Sequence, residues 1–328
     1  MGPRLLRARG KDLLDGMTVN NSPELVKLLH ALIGDDSVEI EILAVDPWTV
    51  RESVAEEYRY SRENIFLLGD AAHRHPPAFG LGLNTAIQDA YNLAWKVAYV
   101  SKSLAGPEQL GSYSAERQPV GAVLVRESNN GIRAHARMWE ALGMPASTGD
   151  EGAKQLARIA EASPDGAASR LKIREALGEI EVELQSLGIA PPLEGNPITT
   201  PQISTFPGSR LPHARLDIKT RRKVISTLDL AGKASFCVLF GVGGEPWREA
   251  AVNIGRPTGI PINAYGIGYA LDYADIYREW HSERGFEEDG CVLIRPDRFV
   301  AWGSRTMVED CEAQLRAVLR RILRRDQR

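Results

Sequence analysis

NIFLLGDAAHRHPPAFGLGLNTAIQDAYNLAWKVAY, residues Asn64–Tyr99, is the stretch from which the fold can be predicted. It begins with an apolar run, Ile65–Leu68, which predicts a buried strand that ends at Gly69 and Asp70. A loop rich in Pro, Gly and His follows. The sequence then predicts a helix of about 16–20 residues after Asn84, because its apolar positions recur with a period near 3.6. Strand, loop and helix in this order place ligand contacts at the carboxyl end of a strand.

The residue types around this loop suit a ligand with hydroxyl groups and negative charge. The carboxylate of Asp70 can accept hydrogen bonds from hydroxyls, and Gly69 lets the backbone approach a ligand closely. Gly80 and Gly82 allow a tight turn, so that the following amides point forward from a helix start and favour anions. The alternative is a simple corner, in which the glycines only permit the turn and Asp70 caps the helix.

The order of these motifs resembles the FAD-dependent aromatic hydroxylases, the single-component flavoprotein monooxygenases. The resemblance rests on Gly69-Asp70-Ala71-Ala72-His73, Pro76-Pro77, Gly80-x-Gly82-x-Asn84, Asp89-Ala90, Asn92-Leu93-Ala94-Trp95-Lys96, and then Tyr113, Glu116, Arg117 and Pro119. It implies FAD as cofactor and NAD(P)H as co-substrate. The cofactor contacts that it implies are Gly69, Asp70, Ala71, Pro77, Gly80, Leu81, Gly82, Leu83 and Asn84.

The same resemblance implies where the reaction takes place. Pro77 would lie beside the oxygen-reacting face of the flavin, which makes it the candidate catalytic position. The segment Asp46–Val50 looks like the sheet that lines the aromatic substrate pocket, with Trp48 as a candidate substrate contact. Trp48 as an ordinary core residue is an equally good interpretation.

The C-terminal part resembles the thioredoxin-like domain of the phenol and chlorophenol hydroxylase subgroup. The matching segments are Pro207–His213, Leu228–Leu230 and Gly290–Asp297. A buried strand at Phe236–Phe240, a hairpin at Cys291–Trp302 and a helix from Val308 fit this order. A working thioredoxin needs Cys-x-x-Cys after that first strand, but Gly241–Pro246 contains no cysteine. Disulfide exchange is therefore excluded, and a structural or dimer-forming domain is expected.

The predicted fold class is α/β (α+β), a partial FAD-binding hydroxylase domain followed by a thioredoxin-like α/β domain. Further predicted elements are a helix over Pro23–Ile33, strand over Val38–Val54, a helix from about Ala115, helices over Ala153–Leu187 and a helix over Tyr273–Arg284. The predicted boundaries are 1–62 for the remainder of a substrate-binding sheet domain, 63–190 for the C-terminal part of the FAD-binding domain, 191–206 for a Pro-rich linker, and 207–328 for the thioredoxin-like domain without Cys-x-x-Cys.

Composition excludes several classes of function. A net charge of −3 gives no general attraction to nucleic acid or to anionic membranes. Three widely spaced cysteines, Cys237, Cys291 and Cys311, indicate buried thiols rather than disulfides or a zinc site. His73 and His75 lack a nearby third ligand, so no metal is expected. No apolar run reaches the roughly 18 residues of a membrane helix, and a cytoplasmic location is expected.

The sequence also lacks a motif that this family uses to hold the pyrophosphate of FAD. No Gly-x-Gly-x-x-Gly fingerprint occurs in the chain. The sequence therefore predicts a truncated or half-length FAD- and NAD(P)H-dependent phenolic ring hydroxylase, which acts on an aromatic substrate and O₂. Two partners are expected to be open to it: a separate N-terminal half, and a second copy in a homodimer formed through the thioredoxin-like domain. The alternative is a non-catalytic binding or assembly protein derived from such a hydroxylase. Titration of FAD into this chain alone discriminates the two in part. Weak or absent binding is expected, because the motif that holds the pyrophosphate is missing.

Overall fold

The computed structural model of this chain describes residues 23–42, 51–60, 64–77, 80–144, 148–184, 204–218 and 223–325. Its helices are α1 Pro23–Ile33, α2 Gly82–Ser101, α3 Gly111–Ala141, α4 Gly149–Arg158, α5 Pro164–Leu184, α6 Thr227–Leu230, α7 Glu245–Thr258, α8 Glu279–Glu283 and α9 Cys311–Ile322. Its strands are β1 Ser53–Val54, β2 Arg59–Tyr60, β3 Ile65–Phe66, β4 His73–Arg74, β5 Arg215–Ile218, β6 Lys223–Ser226, β7 Phe236–Phe240, β8 Ile262–Gly266, β9 Tyr273–Asp275, β10 Cys291–Ile294 and β11 Val300–Ser304. None of these helices combines the length and the apolar character that a bilayer crossing requires.

The chain divides into two compact units. One comprises residues 1–51 and 135–176, and the other comprises residues 52–134 and 177–328. In the first unit, the Thr148 side chain accepts a hydrogen bond from the backbone N–H of Glu151 and so caps the start of α4. The second unit contains the predicted flavin-contacting segment together with the whole C-terminal region. The domain boundaries predicted from sequence remain a prediction.

A mixed four-stranded sheet organises the C-terminal region. Its strand order is β11-β10-β7-β8, with β7 and β8 parallel and the other pairs antiparallel. Every residue of β7 is buried, which explains its unbroken run of apolar side chains, Phe236–Phe240. A separate three-stranded sheet has the order β6-β5-β9. The predicted strand at β7, the predicted hairpin of β10 and β11, and the predicted terminal helix are confirmed.

Helix α2 shares a hydrophobic core with this C-terminal sheet. Trp95 and Tyr99 of α2 pack edge-on against Phe236 of β7, with ring centroids 6.0 and 5.8 Å away. Their cluster also includes Trp247 of α7 and Leu315 of α9, both fully buried. The Tyr99 hydroxyl donates a hydrogen bond of 2.9 Å to the carbonyl oxygen of Ala234. Helix α2 and the C-terminal region therefore share one hydrophobic core within the second unit.

Three expectations about secondary structure need correction. The strand predicted over Ile65–Leu68 is only two residues long, and Ile65 is 48% exposed, because its strand partner among the described residues is the equally short β2. Of the strand predicted over Val38–Val54, residues 38–42 form no strand, residues 43–50 lie outside the described residues, and only Ser53–Val54 forms a strand, the short β1. The helix predicted over Tyr273–Arg284 begins only at Glu279, since Tyr273–Asp275 pairs with β5.

Candidate functional site

The candidate flavin contacts gather at the start of α2. After β3, Gly69–Ala71 forms a single 3₁₀ turn that leaves Gly69 buried and Asp70 exposed. Gly69 has a φ of +56°, and a Cβ at this position would meet the Cβ of Ala86 on α2 at 3.0 Å. A side chain here would therefore strain the turn and push it away from α2. The turn presents the Asp70 carboxylate to solvent, with no hydrogen bond to it from the described part of the chain.

The first turn of α2 offers free backbone donors. Helix α2 begins at Gly82 after Leu81, and no described side chain caps this end. Leu83 is 74% exposed, and Asn84 is exposed as well. The first amides of a helix have no partner within the helix, so those of Leu83 and Asn84 are available to a ligand. Together with the positive end of the helix dipole, they form an anion-binding surface.

The loop that joins the turn to α2 is held by short contacts. Gly80, with a φ of +62°, donates its N–H to the carbonyl oxygen of Pro77 at 3.1 Å. The Asn84 side chain donates to the carbonyl oxygen of Gly80 at 3.2 Å. Pro77 is exposed, and residues 78–79 lie outside the described part of the chain. The structure therefore brings together every predicted cofactor contact, Gly69, Asp70, Ala71, Pro77 and Gly80–Asn84, at one end of α2.

Beneath this surface, Asp89 of α2 receives three hydrogen bonds. Its Oδ2 accepts from the backbone N–H of Gly69 at 3.1 Å and pairs with Nε2 of His73 at 2.9 Å. Its Oδ1 accepts from Nε of Arg117 on α3 at 2.7 Å. Burial alone would raise the pKa of Asp89, but the bonds from His73 and Arg117 lower it below its ordinary value. The carboxylate is therefore ionised at neutral pH.

A second buried charge cluster joins α2 and α3 to the hairpin of β10 and β11. Arg295 makes two bidentate contacts, one with Glu116 of α3 and one with Asp297 of the hairpin turn. Lys96 of α2 lies 3.0 Å from Glu116, and Asn92 donates hydrogen bonds to both carboxylates. Arg295 and Glu116 are at most 5% exposed, and Lys96 is fully buried. Two cations and two carboxylates thus balance each other in a region closed to water.

Burial and charge oppose each other within this second cluster. Burial lowers the pKa of Lys96 to about 8, although the Glu116 carboxylate opposes this shift. Burial would raise the pKa of Glu116, but the charges of Arg295 and Lys96 hold it far below its usual range. Ionised Glu116 is therefore built into the folded state.

Sequence reasoning missed the roles of these buried polar residues. Glu116, Arg117, Asp89, Asn92 and Lys96 entered only as parts of motifs. A pattern that could have revealed them is the spacing of polar residues along α2, where Thr85, Asp89, Asn92 and Lys96 recur at three- and four-residue intervals and all are buried. By contrast, the apolar side chain of Ile87 on the same helix is 57% exposed. Trp48, the candidate substrate contact, lies outside the described residues.

The C-terminal region carries no thiol at the position that a thioredoxin would use. Cys237, Cys291 and Cys311 are buried and unpaired, as expected. A cavity of about 580 Å³ opens beside Val242, in the loop after β7, and is also lined by Tyr269, Arg278 and Trp280. Its lining includes none of the candidate flavin contacts. No group of three potential metal ligands occurs among the described residues.

Comparisons with known proteins agree with this arrangement. Residues 12–128 match the family model for the FAD binding domain, and residues 204–325 match that for the C-terminal domain of aromatic-ring hydroxylases. The first match contains the turn at Asp70, the start of α2 and the Asp89 cluster, and the second contains Arg295 and Asp297. The chain belongs to the FAD-binding aromatic-ring hydroxylase family. The expected fold class, a mixture of helix and sheet, and the expected cofactor, FAD, are thereby confirmed for the family.

The relatives that this chain matches include monooxygenases of about twice its length. It is 36% identical to a phenol 2-monooxygenase from Pseudomonas sp. (strain EST1001), over 91% of this chain and 52% of the relative. It is 34% identical to a 2,4-dichlorophenol 6-monooxygenase from Delftia acidovorans, over 96% of this chain and 56% of the relative. This hydroxylase-family chain therefore spans about half the length of the curated relatives that it matches.

A solved structure shows the same fold over nearly the whole chain. The flavin-dependent monooxygenase PieE, in complex with FAD and substrate, superposes with a TM-score of 0.83 at 33% identity. The match covers 94% of this chain and 55% of PieE. The hydroxylase fold of this chain thus corresponds to about half of a flavin-bound enzyme.

Proposed function

We propose that this chain supplies one side of the flavin site of an FAD- and NAD(P)H-dependent phenolic ring hydroxylase. The observation that carries the proposal is the exposed Asp70 carboxylate beside the uncapped start of α2, within a segment that matches the FAD binding domain. The residues fit part of FAD. An exposed carboxylate suits the hydroxyls of the ribityl chain, and free amides suit the electron-rich edge of the ring, whereas the sequence offers no glycine fingerprint for the pyrophosphate.

Each group at this site has a defined task in the proposal. Bound FAD would supply the redox chemistry, since it takes electrons from NAD(P)H and activates O₂ for insertion of one oxygen atom into a phenolic ring. Asp70 orients the cofactor by accepting hydrogen bonds from its hydroxyls. The amides of Leu83 and Asn84 stabilise negative charge on the reduced ring, and donors together worth about 3 kcal/mol would favour that charge by about two powers of ten. Pro77 shapes the face where oxygen reacts.

The proposed substrate is a small phenolic ring. Support comes from the relatives, which are named for phenol and 2,4-dichlorophenol. Trp48 is proposed as one wall of the substrate pocket. The proposed domain boundaries are those predicted from sequence, 1–62, 63–190, 191–206 and 207–328, and the last of these is proposed as thioredoxin-like. A cytoplasmic location is proposed because the three buried, unpaired thiols suit a reducing compartment.

Two partners belong to the proposal. The first is a polypeptide segment that supplies the pyrophosphate cradle, in the same protein or as a separate N-terminal half. The second is another copy of the chain, docked through the C-terminal region to form a homodimer. The segment is supported by the relatives, of which this chain covers 52% and 56%.

Co-expression tests the proposed function directly. The chain is produced together with the other half of its relative, phenol 2-monooxygenase, meaning the half that does not align with this chain. The purified complex is examined for flavin absorbance and for phenol-dependent oxidation of NADPH. The expected result is a yellow complex that oxidises NADPH. A colourless complex that is inert towards NADPH would contradict the proposal and favour the alternative, a non-catalytic binding or assembly protein.

Titration of FAD into this chain alone gives a second measurement. Binding is expected to be weak or absent, because no pyrophosphate-binding fingerprint is present in the sequence. A dissociation constant in the micromolar range or below would refute that expectation. It would mean that the turn at Asp70 and the start of α2 are sufficient to hold the cofactor.

A further inference from the structure

One carboxylate connects the two parts of the candidate flavin site. Asp89 lies on α2, the helix whose start carries the free amides of Leu83 and Asn84. Its Oδ2 also holds the backbone N–H of Gly69, the residue directly before Asp70. The ribityl-facing carboxylate and the ring-facing amides are therefore linked through a single buried side chain that is 0% exposed.

The Gly69 contact controls the direction of the turn. The N–H of Ala72 donates to the carbonyl oxygen of Gly69 at 2.8 Å, which closes the 3₁₀ turn around Asp70. Asp89 holds the other side of the same residue. Gly69 lies so close to α2 that a Cβ would be 3.0 Å from Ala86, so the turn has little freedom to shift towards the helix. The remaining freedom, movement away from the helix, is opposed by the hydrogen bond to Asp89.

A stack of rings leads from Asp89 back to the start of α2. His73, which pairs with Asp89, stacks on His75 with 6.1 Å between ring centroids and an interplanar angle of 19°. The His75 ring lies beside Gly82, where a Cβ would be 3.6 Å from Nε2. His73 also stacks on Tyr58, which is fully buried. The loop between turn and helix is thus supported from the same carboxylate.

Arg117 provides the counter-charge that stabilises the ionised Asp89 carboxylate in this arrangement. Its Nε donates to Oδ1 of Asp89, and both side chains are 1% exposed. Charge-assisted hydrogen bonds of this kind are about twice as strong as neutral ones. An asparagine at position 89 would turn an N–H₂ group towards one of the three donors and leave Arg117 without its counter-ion.

From this geometry we infer that Asp89 is the positioning residue of the flavin site: with His73 and Arg117 it fixes Asp70 relative to the first amides of α2. Asp89 itself does not touch the cofactor. The part of the inference that concerns flavin rests on the proposed function. The contacts of Asp89 with Gly69, His73 and Arg117, here called the clamp, can be tested without flavin.

Hydrogen–deuterium exchange on the full chain tests the clamp. Asp89→Asn is expected to raise amide exchange over residues 67–73 by about tenfold or more, since a charged hydrogen bond that holds the turn is lost. Tyr99→Phe is the matched control, because Tyr99 is also buried in α2 and loses only its hydrogen bond to the carbonyl oxygen of Ala234. It is expected to leave residues 67–73 unchanged. Unchanged exchange in Asp89→Asn, or an equal rise in Tyr99→Phe, would overturn the inference.

A milder variant decides the matter if Asp89→Asn does not fold. His73→Phe keeps the stacked ring and removes the donor to Asp89, while Gly69 and Arg117 keep their contacts. Faster exchange confined to residues 67–73 supports the clamp, and exchange equal to the wild type overturns it.

The role in flavin binding has its own readout in the co-expressed complex. Asp89→Asn is expected to weaken FAD binding by about tenfold and to change the visible flavin spectrum, whereas Tyr99→Phe changes neither. Unaltered FAD binding and spectrum in Asp89→Asn overturn the positioning role. A wild-type complex without FAD would instead refute the proposed function, and the exchange experiment would still report on the clamp.

Discussion

Arg295 shows at the scale of one residue how charge is accommodated inside this chain. Its guanidinium group is 3% exposed and holds Glu116 and Asp297 at the same time, while its face lies over the ring of Trp95, 5.5 Å from the centroid. Lys96 supplies the second cation. The cluster is neutral as a whole, so its stability depends on the presence of all four charged groups rather than on any single contact.

Removing Arg295 alone should lower the free energy of unfolding far more than removing Arg295 together with one carboxylate. Arg295→Met leaves Lys96 against two carboxylates, and the free energy of unfolding is expected to fall by about 3–5 kcal/mol. The double variant with Asp297→Leu restores neutrality, so it should be more stable than Arg295→Met alone. Urea unfolding measures both.

Arg305→Met serves as the control for this comparison. Arg305 pairs with Glu287 but is 79% exposed, and the expected change is within about 0.5 kcal/mol. A double variant no more stable than Arg295→Met would contradict the argument from neutrality.

The turn at Gly69 is expected not to tolerate a side chain. Gly69→Ala is expected to destabilise the chain by about 1–2 kcal/mol, because φ is +56° and the new Cβ meets Ala86 at 3.0 Å. Gly178→Ala in α5 is the control, since a Cβ there has nothing within 4 Å and should be neutral or slightly stabilising. Thermal unfolding distinguishes them, and equal melting temperatures for both variants would show that the turn is not strained.

At the scale of elements, α2 turns a polar stripe inwards. Asp89 contacts the turn after β3, and Asn92 and Lys96 reach the cluster around Arg295. The length and position of α2 could be predicted from its period, and its candidate flavin contacts could be predicted from resemblance. Its buried face could not, because its contacts lie on other elements. Asn92 and Lys96 both contact Glu116 on α3, and Asn92 also contacts Asp297, which lies 205 residues further along the chain. Local patterns carry no information about such contacts.

The link between α2, α3 and the hairpin should respond to acid through Glu116. The pKa of Glu116 is lowered in the folded state, so the unfolded chain takes up a proton first as the pH falls. The stabilisation is therefore complete at neutral pH and is lost as the pH falls below about 5. Glu116→Gln should flatten the dependence of unfolding free energy on pH between about 5 and 3. The exposed Glu57→Gln is the control, and a slope equal to the wild type in Glu116→Gln would contradict this account.

At the scale of the whole molecule, the second unit unites segments that sequence reasoning assigned to different domains. Trp95 and Tyr99 share a core with β7, α7 and α9, and Arg295 reaches Glu116 across this core. The hairpin, the buried strand β7 and the terminal helix could be predicted from their apolar patterns. Their packing against α2 could not be predicted, because the sequence of β7 shows that the strand is apolar but not which helix covers it.

This packing predicts that the N-terminal segment depends on the C-terminal region. A chain ending at residue 203 would expose Trp95, Tyr99 and the charges of Lys96 and Glu116, all of which are buried in the full chain. It is expected to be aggregated or readily digested, as limited proteolysis would show. A truncated chain that unfolds cooperatively would contradict the dependence.

If Asp70 and the start of α2 face FAD, the FAD affinity of the co-expressed complex depends on the Asp70 carboxylate. Asp70→Ala is expected to weaken binding by about tenfold or more, because a carboxylate that accepts hydrogen bonds from the cofactor is lost. The exposed Asp36→Ala is the control and should bind as the wild type does. Undiminished FAD affinity in Asp70→Ala would contradict the account.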